Sequence, residues 1–214
     1  MLIDLDELIK LYNIQLTGIL HIGAHLCEEL VKYEKYISRD KVLWIEANPE
    51  KVARSRELYP NVRIETAVIS DIAENVVFHV SNNGESSSIL DLGTHQMYYP
   101  GIKYVQHYRA MAVPISNILV NYPDIPFNFL NMDIQGVELK ALKGFGEHLD
   151  KIDYIYTEVN QEQVYVNCAL LGEIDEYLDN RGFTRVKCLM TDAKWGDAFY
   201  VRRSVSGGVD KTEK

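Results

Sequence analysis

The sequence predicts an α/β domain built on a mostly parallel sheet that finishes with an antiparallel strand. Three observations point to it. Short apolar runs alternate with stretches of helical spacing through most of the chain, and strands separated by helices pair in parallel because they need crossover connections. The last two apolar runs, 184–190 and 198–203, are joined only by a short polar turn containing Thr191, Asp192 and Gly196, so they pair antiparallel. Two runs end on a carboxylate, Glu46 and Asp133, at the carboxyl edge where open α/β sheets bind ligands.

Ile3, Leu5, Leu8, Ile9 and Tyr12 recur at helical spacing and mark residues 1–16 as an N-terminal helix. Residues 17–22 form a buried strand closed by Gly23, and Leu26, Leu30, Val31, Tyr33 and Ile37 resume the helical period. A second strand, 42–47, leads into a helix with Asn48 as cap and Pro49 in its first turn, ending at Tyr59 and Pro60. A third strand covers 63–69, and 76–81 reads as an extra strand in a small antiparallel excursion. Residues 82–110 read as one long polar, Tyr-rich loop, and loops of that length inside compact domains are usually functional or disordered. Ile89, Leu92, Met97, Tyr104 and Tyr108 favour an ordered cover. Order returns at 112–115, followed by a short helix from Ser116, a strand at 127–133, a helix at 137–144, a strand at 154–159 and a helix at 172–180. The chain is therefore read as a single domain over 17–203, with the insertion at 82–110 and a mobile tail at 204–214.

The 214 residues suffice for one filled core, and 47% hydrophobic with 25% charged residues is an ordinary globular balance. No apolar stretch approaches the ~20 residues of a membrane span, and the N-terminus lacks the features of a secretory signal. A cytoplasmic protein without a membrane partner is expected. Twenty-two Lys and Arg stand against 31 Asp and Glu, a net charge of -9, with no basic run before Arg202 and Arg203. Such a chain repels polyanions, so no nucleic-acid partner is expected. Cys27, Cys168 and Cys188 are far apart and without a CxxC pair, which argues for reduced structural thiols.

The chemistry-bearing positions begin with His21-Ile22-Gly23-Ala24-His25-Leu26-Cys27-Glu28. A glycine after a buried strand allows close backbone approach, and the following helix start offers free amides. A tight turn would have the same form. Glu46 lies about 20 residues further on, where an acid ending the second strand can accept both hydroxyls of a ribose. Together they indicate an adenosine-type ligand. His21 and His25 raise the question of metal binding, but with no Glu-x-x-His or cysteine partner nearby a structural or donor-contacting role is preferred and no metal is expected. Asp133 closes its strand beside this site, either as a reacting group or as a cap for the helix that follows.

The HIGAHLCEE turn, WIEANPE, TAVISD, the SSSIL stretch, NMDIQGVELKALKG and the final DAFYVR resemble the FkbM-type family of S-adenosylmethionine-dependent methyltransferases. The resemblance spans roughly residues 17–203, with DIQGVELKALKG its most specific part. It implies a class I methyltransferase (Rossmann-like) three-layer sandwich, S-adenosyl-L-methionine as cofactor, and O-methylation of hydroxyls on sugars, glycans or small natural products. Carried over by position, Gly23 and Ala24 lie under the methionine part of the donor, with His21, His25 and Glu28 counted beside them. Glu46 holds the ribose. Ala47, Asn48, Ala67 and Val68 lie near ribose and adenine, Ser87 and Ser88 line the donor-side loop, and Asp133 with Glu138 faces the reacting centre. This chain departs from the family pattern at His21, where the family has Asp, and at His25 and Cys27, where it has Asn and Gly.

The reaction so implied needs an acceptor oxygen held close to the methyl group and a base for its proton. Asp133 is the first candidate base, and His107 or His95, from the long loop, are alternatives. Glu138 orients the acceptor or caps its helix, and Glu158 is a further acceptor-site carboxylate. Tyr98, Tyr99, Tyr104 and Tyr108 either stack on a sugar or pack as a lid. The expected partners are a small-molecule or carbohydrate acceptor, with a homodimer left open. The rival functions are an NAD-dependent dehydrogenase, which uses a similar glycine turn and ribose acid, and a non-catalytic methyltransferase-like binding protein.

Overall fold

The computed structural model describes residues 1–205. In chain order the elements are α1 (Leu5–Leu11), β1 (Ile19–Ile22), α2 (Leu30–Tyr33), β2 (Val42–Glu46), α3 (Pro49–Leu58), β3 (Arg63–Thr66), β4 (Val68–Ile69) and β5 (Glu74–Ser81). There follow α4 (His95–Tyr98), β6 (Tyr104–Val113), α5 (Ser116–Leu119), β7 (Phe129–Met132), α6 (Glu138–Gly144), β8 (Tyr154–Asn160), α7 (Leu171–Asn180), β9 (Phe183–Met190) and β10 (Trp195–Arg202). The seven-stranded main sheet has the order β3-β2-β1-β7-β8-β10-β9, with β10 antiparallel to both neighbours and the other pairs parallel.

Alternation along the central strands divides the core into two layers. Leu20, Ile22, Leu43, Ile45, Leu130 and Met132 face one side, where α5, α6 and α7 contribute Leu119, Leu142 and Leu178. Ile19, Val42, Trp44 and Phe129 face the other, where α1, α2 and α3 contribute Leu8, Tyr33 and Val52. Both faces of β1, β2 and β7 are covered, which is why these strands read as continuous apolar runs. The N-terminal helix belongs to one of these layers: Leu5 and Leu8 are buried with Trp44 and Phe199, and Asp4 caps it by accepting a hydrogen bond from the Glu7 amide.

Several sequence boundaries are corrected. The helix expected from residue 26 shrinks to the single turn of α2, because His25 and Cys27 adopt positive φ of 45° and 60° and bend the chain out of the helical path. The third strand breaks at Ala67, so that β3 joins the main sheet while β4 enters a separate three-stranded sheet of order β4-β6-β5. The loop expected over 82–110 is shorter, because β6 takes 104–113 and pairs antiparallel with β5 from Glu74↔Ala112 to Ser81↔Tyr104. β10 begins at Trp195, three residues before the expected start. Of the tail, Ser204 and Val205 lie in a turn, and the remainder lies outside the described residues.

Candidate active site

A cleft of about 550 Å³ opens at the carboxyl ends of β1, β2, β7 and β8, within the range of small-molecule sites. Its floor is built by close approach of two strand ends. Gly23 has φ +91°, and a Cβ there would lie 1.8 Å from the Asp133 carbonyl oxygen. The glycine therefore lets the exits of β1 and β7 touch. It also lines the cleft, where close approach to a ligand was expected from the sequence.

The turn after β1 is fully engaged. The amides of Gly23 and Ala24 donate to the Ile45 carbonyl, that of His25 to Glu46 Oε2 (2.8 Å), that of Leu26 to Glu28 and that of Cys27 to Ala24. Glu46 accepts from Asn48 N as well (2.7 Å), so it ties the β1 and β2 turns together. A carboxylate has about four acceptor positions, and two remain. Burial raises the Glu46 pKa, against the lowering influence of the two backbone donors. His25 sits between Glu28 (Nδ1 to Oε1, 2.6 Å) and Lys51, whose Nζ lies 2.8 Å from Nε2.

His21 is 4% exposed and stacks on Trp44 with ring centroids 4.5 Å apart. Its Nδ1 lies 3.0 Å from the Tyr33 hydroxyl, which in turn accepts from Asn131 Nδ2. Burial pushes its pKa down to about 4, so the imidazole is neutral. It lines the cleft floor from within this buried network.

Asp133 follows β7 directly and is accessible from the cleft. Protein still surrounds the carboxylate closely, and that desolvation, with the Asp197 charge added, raises its pKa. Gln135, at φ 56°, turns its amide back so that Nε2 donates to Asp133 Oδ1 (2.5 Å) and Glu158 Oε2 (3.0 Å), while its Oε1 accepts from the Tyr165 hydroxyl. One oxygen each of Asp133, Glu138 and Glu158 lie within 4.8 Å of one another. Burial raises Glu158 well above the ordinary range, and the charges of Asp133, Glu138 and Asp197 add to it. Glu138 lies behind the cleft wall, 1% exposed, and accepts from the amides of Ile134 and Gly136. Burial, reinforced by the Asp133 charge, pushes it up to about 7.

His21, Gly23, Ala24, His25, Glu28, Glu46, Ala47, Ala67, Val68, Ser87, Ser88 and Asp133 thus all meet at one cleft. Three expected residues do not line it. Asn48 caps α3 by accepting from Glu50 N, Glu138 holds the turn that carries Gln135, and His107 stands on exposed β6 with its Nδ1 2.6 Å from that of His79. Ser88 contributes indirectly, since its hydroxyl donates to the Gln135 carbonyl. Of the four loop tyrosines only Tyr99 reaches the cleft; the Tyr104 and Tyr108 hydroxyls donate to the carbonyls of Leu90 and Ala47. Sequence reasoning missed Gln135, Asp197, Tyr165 and Trp195. Gln135, two residues beyond the strand-ending acid, was the one within reach of a local signal.

A mostly parallel sheet with one reversed strand, carrying a glycine turn, a strand-ending acid and a cleft at its carboxyl edge, defines the class I methyltransferase fold. The methyltransferase FkbM domain model matches residues 21–185. The chain belongs to that family and is an S-adenosyl-L-methionine-dependent methyltransferase. Among solved structures it is similar to an S-adenosylmethionine-dependent methyltransferase from Mesorhizobium loti (9% identity, TM-score 0.50, covering 92% of this chain and 96% of that one). It is also similar to a ribosomal protein L11 methylase from Lactobacillus delbrueckii subsp. bulgaricus (11% identity, TM-score 0.52, covering 91% and 74%). At these identities the likeness is one of fold. Comparison with curated proteins returned no match.

The cleft suits this donor. Seven acids line it (Glu28, Glu29, Glu46, Glu85, Asp133, Glu158 and Asp197), and no Lys or Arg does among the described residues. Such a lining favours a cationic sulfonium. A dinucleotide's pyrophosphate would meet neither free amides in the 23–27 turn nor a lining Lys or Arg.

Proposed function

We propose that the chain methylates a hydroxyl of a sugar, glycan or small natural product, with Asp133 as the base that takes the hydroxyl proton. The observation that carries this reading is the position of Asp133, at the exit of β7 between the donor-side turns of β1 and β2 and the aromatic end of the cleft. The bound donor supplies an electrophilic methyl group on a sulfonium. Glu46 and the turn it fastens hold the donor side rigid, and Gln135 fixes the orientation of the Asp133 carboxylate. Desolvation and the Asp197 charge raise the Asp133 pKa, which strengthens it as a base.

The acidic lining supports a hydroxylated small molecule over a phosphate-rich acceptor such as RNA, which gains affinity from Lys and Arg. Cys27, Cys168 and Cys188 are free thiols, which supports work in a reducing cytoplasm. The test is Asp133→Ala, assayed by mass spectrometry with hydroxylated acceptors. Transfer should fall by at least ~100-fold, with S-adenosylhomocysteine affinity kept within about threefold. Near-full turnover in the variant removes Asp133 from the chemistry.

A further inference from the structure

Three acids stand side by side across adjacent strand ends at the far side of this cleft. In the register of β8 and β10, Glu158 is directly opposite Asp197. In that of β7 and β8, Met132 is opposite Thr157, so Asp133 and Glu158 follow as the next residues of their strands. Like charges facing each other across strands cost stability; Glu158 and Asp197 are 4% and 5% exposed, and Asp197 Oδ2 accepts from the Leu2 amide and the Tyr156 hydroxyl, which leaves Oδ1 for a ligand. Gln135 relieves part of it by placing an N–H donor group between Asp133 and Glu158.

The wall beside this row is aromatic. Trp195 Nε1 donates to the Tyr99 hydroxyl (3.1 Å), and the His95 ring lies 5.0 Å from that of Tyr99 and 5.5 Å from that of Tyr165. All four residues line the cleft. His95 is 5% exposed, and its Nδ1 has no hydrogen-bond partner. A buried polar atom left unpaired costs free energy that a ligand's hydrogen bond recovers.

We infer that this end of the cleft binds a protonated amine, so that the acceptor is an amine-bearing polyol such as an amino sugar, its ammonium held by Glu158 and Asp197 and its ring against Tyr99, Tyr165 and Trp195. The inference rests on the methyltransferase reading above and deepens it by naming the acceptor class. An ammonium has several N–H donors on one compact charge, and the Gln135 amide already occupies the corresponding place between two of the acids. Held as the ammonium, the nitrogen has no lone pair to accept a methyl group, so the transfer goes to a hydroxyl of the same molecule. The S–CH₃ bond breaks as the O–CH₃ bond forms, the sulfur keeps the electron pair, and the hydroxyl proton passes to Asp133.

The test is calorimetric titration of the protein saturated with S-adenosylhomocysteine. The probes are glucosamine, galactosamine and mannosamine, each paired with its N-acetyl counterpart, together with glucose 6-phosphate. At least one free amine should bind at least ~10-fold more tightly than its neutral partner, and glucose 6-phosphate should bind most weakly. Glu158→Gln should reduce that preference to less than about threefold, and saturable S-adenosylhomocysteine binding with a cooperative melting transition shows that the variant is folded. No amine preference in the unaltered protein, a preference that survives Glu158→Gln, or amine binding that needs added Mg²⁺ overturns the inference. The two readings separate by mass spectrometry: O-methylation of neutral sugars without amine preference keeps the methyltransferase reading and sinks this one. Selective amine binding with no O-methyl product does the reverse.

Discussion

Both oxygens of Glu46 accept backbone hydrogen bonds, from His25 and Asn48, so the acid chosen from the sequence as a ribose ligand also fastens two turns of the fold. Its two roles predict different losses. Glu46→Ala should weaken S-adenosylhomocysteine binding by at least about tenfold, the order of one or two lost charge-assisted hydrogen bonds. Glu46→Gln keeps one acceptor oxygen and should recover part of that loss, and calorimetric affinities of the two variants check this. An unchanged affinity in Glu46→Ala removes the ribose assignment. His21 is more deeply committed to the fold, because Tyr33, Trp44 and Asn131 surround a ring that burial keeps neutral.

The small sheet is the element where sequence and structure part most widely. Residues 104–113 carry Gln106, His107 and Arg109, and only Ala112 of the ten is buried, so the alternation that reveals a half-buried strand is muted. Pairing with β5 creates the strand, and packing of Tyr108 on Phe78 (5.3 Å between ring centroids) gives it an apolar side. The sheet is joined to the β2 end of the cleft by the Tyr108 hydroxyl, which donates to the Ala47 carbonyl at 2.5 Å. Tyr108→Phe should destabilise the protein by about 1 kcal/mol, the usual worth of one such bond, and denaturant unfolding would measure it. Its effect on donor affinity should exceed that of Tyr104→Phe, because Ala47 lines the cleft and Leu90 does not.

At the scale of the whole molecule, buried acids set the pH dependence. Glu138 titrates near 7 in the folded chain against 4.5 when free of its surroundings. A raised carboxyl pKa contributes stability below the unfolded value and loses it as pH rises through the folded one. Between pH 4.5 and about 7 this group therefore opposes folding increasingly. Glu138→Gln retains an acceptor for the Ile134 and Gly136 amides while removing the charge, so its melting temperature should fall less than that of the unaltered protein between pH 5 and 8. Scanning calorimetry at the two pH values decides it, and parallel curves would refute the assignment. His21 acts oppositely: its lowered pKa removes stability as pH falls from 6.5 towards 4.

The alternation that builds the main sheet, its reversed final strand and the turns that line the β1 and β2 end of the cleft were legible along the chain, because each depends on local signals: apolar runs, a glycine turn, Asn48 with Pro49, and acids that end strands. Gly23, Glu46 and Asp133, read from these signals, line one cleft. Which acids share the far end of the cleft was decided only by the tertiary structure. Glu158 and Asp197 become neighbours through the insertion of β10 between β8 and β9, and Gln135 reaches both Asp133 and Glu158 only because two strand ends lie side by side. Pairing register brings together residues distant in sequence, and no spacing along one strand encodes the side chain that will stand opposite on the next.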